Sequence, residues 1–94
     1  MNLHKYITEF VGVFTIVMVV ITTGNPILIG VATTLVLILS SPISGGHMNP
    51  VVSFSMASLK QMDTELLLPY IVSQLLGGLT AVEIYHRYRK VKPI

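Results

Sequence analysis

Three long apolar runs, with one polar and poorly helical stretch between the second and third, leave this chain few ways to fold. The first run, Ile7 to Thr23, is broken only by Thr8, Glu9, Gly12 and Thr15. As a helix it reaches roughly 25 Å, the short end of a membrane span. "TGNP" follows, where Asn25 suits an N-cap and Pro26 the first helical position. The second run, Ile27 to Leu39, ends at "SSP" and is also short, so its span borrows residues on both sides. The third, Leu66 to Tyr85, has Pro69 in its first turn, where proline costs little. Between them "PVVSFSMASL" is long enough for only half a bilayer as a helix, and "KQMDTE" is a hydrophilic connector. The pattern predicts an all-α membrane protein: three transmembrane helices plus one re-entrant half-helix in a single domain over residues 1–94. The expected elements are a helix at about 6–23, a helix at about 26–41, a polar loop and half-helix at about 43–59, and a helix at about 65–86.

Composition points to the same solvent. The chain is 52% hydrophobic and 11% charged, with mean hydropathy +0.76, where ordinary globular chains carry about 25% charged residues. A soluble fold this small exposes too much surface for so few charges, so an integral membrane protein is expected, in a plasma or inner membrane. The net charge of +2 is too weak to suggest nucleic acid, and without cysteine there is no disulfide scaffold and no Cys-ligated metal site. No set of nucleophile, base or metal ligands clusters in the sequence, so neither an enzyme, a metal nor a cofactor is expected. Lys5 followed by "VGVFTIVMVVI" has the charge and apolar core of a secretory signal, but "TTGNP" is a turn rather than a small-residue cleavage site. Helical periodicity is uninformative, because helices in lipid are apolar all round. The tail "HRYRKVKPI" is basic, with Tyr85 and Tyr88 placed for the headgroup level.

The polar stretch "PISGGHMNPVVSF", Pro42 to Phe54, then needs a reason. Irregular backbone at membrane depth survives only buried in protein or lining a wet cavity. A half-helix beginning at Asn49 would place its N-terminus near the midplane, where free N–H groups and the dipole supply about half a positive charge. Asn49 can cap it and Pro50 can occupy its first position. Gly45 and Gly46 permit the unusual backbone angles that leave carbonyls free to accept hydrogen bonds. Carbonyls on one side and a positive helix end on the other orient water and disfavour cations and protons. A polar loop lying among the headgroups is the competing interpretation of the same residues.

"SGGHMNPVVSF" resembles the first half-helix of aquaporins and glycerol facilitators, "ITEFVGVF" the start of that family's first helix, and "PYIVSQLLGGLTA" its third. The resemblance runs from about Ile7 to Tyr85. It implies that Asn49 donates its amide hydrogens to permeating water or a hydroxyl, and that the carbonyls of Gly45, Gly46 and His47 form an acceptor ladder. Pro50 and Val51 would lie at the pore centre. Glu9 and Gln74 would hydrogen-bond the loop backbone, although a helix-end carboxylate and a snorkelling amide would explain them as well. Ile29 falls at the family's helix-2 selectivity-filter position. Gly12, Gly77 and Gly78 would permit close helix packing, if they are not merely incidental glycines. His47 is expected to brace the loop rather than carry protons.

The departures shape the functional expectation. Val51 replaces the usual alanine after Asn-Pro, adding methyls where two such motifs meet tip to tip. The link between helices one and two is short. Family members have two inverted halves with the pore between them, and this sequence carries one. The filter arginine belongs to the other half, and the corresponding residue here, Val52, is not basic. Half a channel would leave Asn49 and the carbonyls in lipid, which is costly. The expected partner is therefore a second copy, inverted about an axis in the membrane plane, giving a passive channel for water or small neutral solutes. The rival expectation is a non-conducting subunit that assembles with, or regulates, another half or a full-length channel. In this arrangement Lys5 and Lys60 lie on one side, and Arg87, Arg89, Lys90 and Lys92 on the other. That modest bias is compatible with insertion in both orientations.

Overall fold

In the computed structural model, residues 2–91 are described and form four α-helices and one 3-10 turn, with no strand among them. The helices are α1 (Leu3–Thr23), α2 (Pro26–Ser44), α3 (Pro50–Ser58) and α4 (Leu67–Val91), and the turn is Thr64–Leu66. The stretches Leu3–Thr23, Pro26–Ser44 and Thr64–Arg89 are long and apolar enough to cross a membrane. α3 has nine residues, about 13.5 Å at 1.5 Å per residue, less than half a span. Of the basic tail, Lys92 lies outside the described residues.

Local chemistry sets most boundaries. Gly24, at φ 57°, ends α1 in the left-handed conformation, its N–H donating to the Val20 carbonyl. Asn25 Oδ1 then accepts from the N–H groups of Ile27 and Leu28, and Pro26 opens α2. α2 does not stop at Ser41 as the "SSP" punctuation suggests, but runs through Pro42 to Ser44. A proline so close to a helix end removes one hydrogen bond without undoing the last turn, and Gly45, left-handed at φ 91°, caps it on the Ser41 carbonyl. α1 starts three residues before the expected Tyr6, and α4 carries the helix on to Val91 through the basic segment expected to follow it.

α1 is the central helix, with α2 on one side and α4 on the other. A Cβ at Gly77 would collide with the Phe10 carbonyl oxygen and come within 3.2 Å of the Phe14 nitrogen, so the α1–α4 backbones touch there. The buried apolar residues are few: Val13, Ala57, Tyr70 and Ala81. The buried polar ones are Glu9, Ser40, Ser44, Ser53 and Gln74, while Ile27 and Leu39 are more than 70% exposed. A polar interior inside an apolar surface is the arrangement that lipid selects. Six threonine hydroxyls on the spanning helices obey the same rule. Thr8, Thr15, Thr22, Thr23, Thr34 and Thr80 each donate to the carbonyl four residues back, so none faces lipid unpartnered.

Candidate functional site

The site is built around Glu9, fully buried two turns into α1. Its Oε2 accepts from the Ser44 hydroxyl at 2.6 Å and the His47 N–H at 3.2 Å. Its Oε1 accepts from the Met48 N–H and from Gln74 Nε2, both at 2.8 Å. All four partners are donors, the pattern that a carboxylate, an acceptor only, satisfies. Gln74 Nε2 also donates to the Ser53 hydroxyl at 2.9 Å, and Ser53 Oγ lies 2.8 Å from His47 Nδ1. One continuous network thus ties α1, the end of α2, the loop, α3 and α4. The Ser53 hydroxyl accepts from Gln74 and can either donate to or accept from His47 Nδ1, according to the tautomer of the imidazole. Tyr70 closes the far side. Its hydroxyl donates to the Ser44 carbonyl at 2.6 Å, and its ring lies 5.1 Å from the His47 ring and edge-on to Tyr6.

This network turns the loop inside out. Every N–H from Gly45 to Met48 points into the protein: Gly45 to the Ser41 carbonyl, Gly46 to Ser44 Oγ, His47 and Met48 to Glu9. The carbonyls of Gly45, Gly46, His47 and Met48 accept nothing among the described residues. Such a sequence of angles needs positive φ at Gly45, Gly46 and Met48, at 91°, 65° and 56°. Two of these are glycines; Met48 is not, and its conformation is held by the Glu9 bond and by its side chain lying over Gly12. Asn49 Oδ1 accepts from the Val51 N–H at 2.8 Å, capping α3 and leaving its amide hydrogens outward on an exposed residue. Pro50 borders a groove of about 330 Å³ with Val13, Gly78 and Leu79. Val13 and Leu79 are the middles of α1 and α4, so the α3 tip stops halfway along the spanning helices.

Of the residues expected at the site, Glu9, Gly12, Gly45, Gly46, His47, Asn49, Pro50 and Gln74 come together here, with Val51 70% exposed at the tip. Gln74 differs in one respect from expectation: it reaches the Glu9 carboxylate and Ser53 rather than the loop backbone. Ile29 lies in the first turn of α2, fifteen residues and roughly 22 Å along the helix axis from Ser44, and is not part of the cluster. A Cβ at Gly12 would collide with the Met48 side chain and come within 3.0 Å of Val36 Cγ1, and Gly77 touches α1 backbone, but a Cβ at Gly78 would meet only Val17 and Val13 at 3.7 and 3.8 Å. Sequence reasoning missed Ser44, Met48, Ser53 and Tyr70. The signal for Tyr70 was its spacing, since Tyr70, Gln74, Gly77 and Ala81 form the buried stripe of α4. The serines gave none.

The family model described as major intrinsic protein matches residues 26–92. A glycerol uptake facilitator protein-like 6 from Lactiplantibacillus plantarum is 35% identical over 88 residues, covering 84% of this chain and 41% of the relative. Aquaporin NIP3-1 of Arabidopsis thaliana is 33% identical over 95 residues, covering 86% of this chain and 29% of its own length. Aquaporin-8 of Mus musculus is 46% identical over 50 residues, covering 53% and 19%. The chain thus spans less than half the length of these relatives.

Proposed function

The chain belongs to the major intrinsic protein family, and from that premise we propose that it is half of a passive membrane channel for water or small neutral solutes, completed by a second, inverted copy. The observation that carries this reading is the loop with all its N–H groups turned in and four carbonyls unused, ending at the free Asn49 amide. In lipid such a row costs far more than a row lining water. Water moving along it would accept from Asn49 and donate to the carbonyls of His47, Gly46 and Gly45 in turn, held in one orientation by the positive end of α3.

Pairing is supported by the apolar groove beside the Pro50 tip, lined by Val13, Leu75, Gly78 and Leu79. An inverted copy seating its own half-helix there would cover that groove and bring the two Asn49 ends together. Stopped-flow osmotic swelling of vesicles containing only this purified chain tests the proposal. Swelling several-fold faster than lipid alone, abolished by Asn49→Leu, is the expected result. Val51 favours a second reading, a non-conducting subunit, because its methyls, 70% exposed here, would crowd the junction of two such tips. Folded protein that swells vesicles no faster than lipid would leave that reading standing.

A further inference from the structure

Resting on the channel reading, we propose that Lys5 and Lys60 form a charged mouth that keeps cations out of the pore. A row of free carbonyls attracts cations as readily as it orients water, and Val52 offers no basic residue at the tip. The positive charge lies instead at the other end of the row. A cavity of about 400 Å³ opens onto Gly45 and His47, where the carbonyl row starts, and its wall includes Lys5, Lys60 and Asp63. Two lysines against one aspartate leave the mouth with net positive charge. Neither lysine forms an ion pair with any carboxylate of the described residues, Asp63 included. Lys5 is half-buried in the first turn of α1, while Lys60 is exposed and fixed through its backbone. Lys60 sits just past α3 in the left-handed conformation, φ 58°, its N–H donating to the Ala57 carbonyl and the Gln61 N–H to Met56. Lys60 also faces the negative end of α3, which is enough to account for a cation there; it does not account for Lys5 in the same cavity. Inverted pairing repeats this mouth at both ends of the pore, so ions meet it from either side.

The test is paired flux measurement on vesicles of the full chain, water by stopped-flow swelling and potassium by an entrapped indicator. Lys5→Gln with Lys60→Gln is expected to leave swelling within about a factor of two. Coulomb repulsion across about 7 Å of water corresponds to roughly a threefold change in local cation concentration per lysine, so potassium flux should rise about tenfold. Lys5→Arg with Lys60→Arg should restore the low flux. The gap between parent and variant should shrink near 1 M of an impermeant salt, where screening acts over about 3 Å. Should the double variant fold poorly by circular dichroism, each single Gln variant is expected to give about a threefold rise. Normal swelling with potassium flux unchanged in every neutral variant overturns the inference alone. A folded parent that moves no water overturns it together with the channel reading, since there is then no pore to guard.

Discussion

Glu9 decides whether the loop exists. Removing its side chain leaves two backbone N–H groups and one Gln74 amide hydrogen without an acceptor in a buried site, and leaves the Ser44 hydroxyl only the long contact to the Ser40 carbonyl. Hydrogen bonds to a charged group contribute about 1.5–3 kcal/mol each, and an orphaned buried donor costs about 1–3 kcal/mol. Glu9→Ala should therefore lose about 4 kcal/mol or more, read as a collapse of the thermal transition in mild detergent. Ser53→Ala removes only the link between Gln74 and His47 and should cost about 1–2 kcal/mol. A Glu9→Ala protein as stable as its parent would mean that the network does not hold the loop. The resemblance to aquaporins and glycerol facilitators suggested Glu9 and Gln74 as the polar residues that hold the loop, since such groups in apolar runs need partners. It did not supply the partners, since Ser44 and Ser53 lie 35 and 21 residues from the groups they bind and nothing local marks contacts that distant.

At the scale of elements, what could be foreseen was what chemistry within a few residues decides. Asn25-Pro26 and Asn49-Pro50 are the same device, a side-chain acceptor over the first N–H groups with proline in the first position, and both start helices. The end of α2 was less legible, because one proline in a last turn costs too little to stop a helix whose cap lies three residues on. How helices meet was legible only as a suspicion about glycines, and the structure separates them. Gly77→Ala must force α1 and α4 apart at the Phe10 carbonyl, costing about 1–3 kcal/mol as overpacking does. Gly78→Ala meets only ordinary contacts and gains helix propensity, so it should be neutral or stabilising by up to about 1 kcal/mol. Thermal unfolding of the two variants side by side reads the difference. Equal effects would mean that the α1–α4 crossing is looser than the backbone contact requires.

At the scale of the whole molecule, a groove runs on past the end of the half-helix that stops at its edge. α3 occupies one half of the depth beside α1 and α4, and beyond Pro50 the same two helices line empty space. An inverted copy whose α3 enters that space brings two tips together near the midplane, with Val51 of each copy, 70% exposed, at the junction. The chain has no cysteine, so a single introduced thiol reports contact cleanly. Val51→Cys should give a disulfide-linked dimer on mild oxidation in vesicles, because the two Cα atoms must approach within about 7 Å to be bridged. Leu59→Cys, equally exposed at 69% but at the opposite end of α3 and so on opposite membrane faces in an inverted pair, should not cross-link. The pair also requires both orientations in one membrane. Lys5 and Lys60 against Arg87, Arg89, Lys90 and Lys92 is a modest enough contrast to allow this, and tags at each terminus should be accessible from both sides. A single orientation, or cross-linking at Leu59 in place of Val51, would rule out the inverted pair and return the groove to another partner.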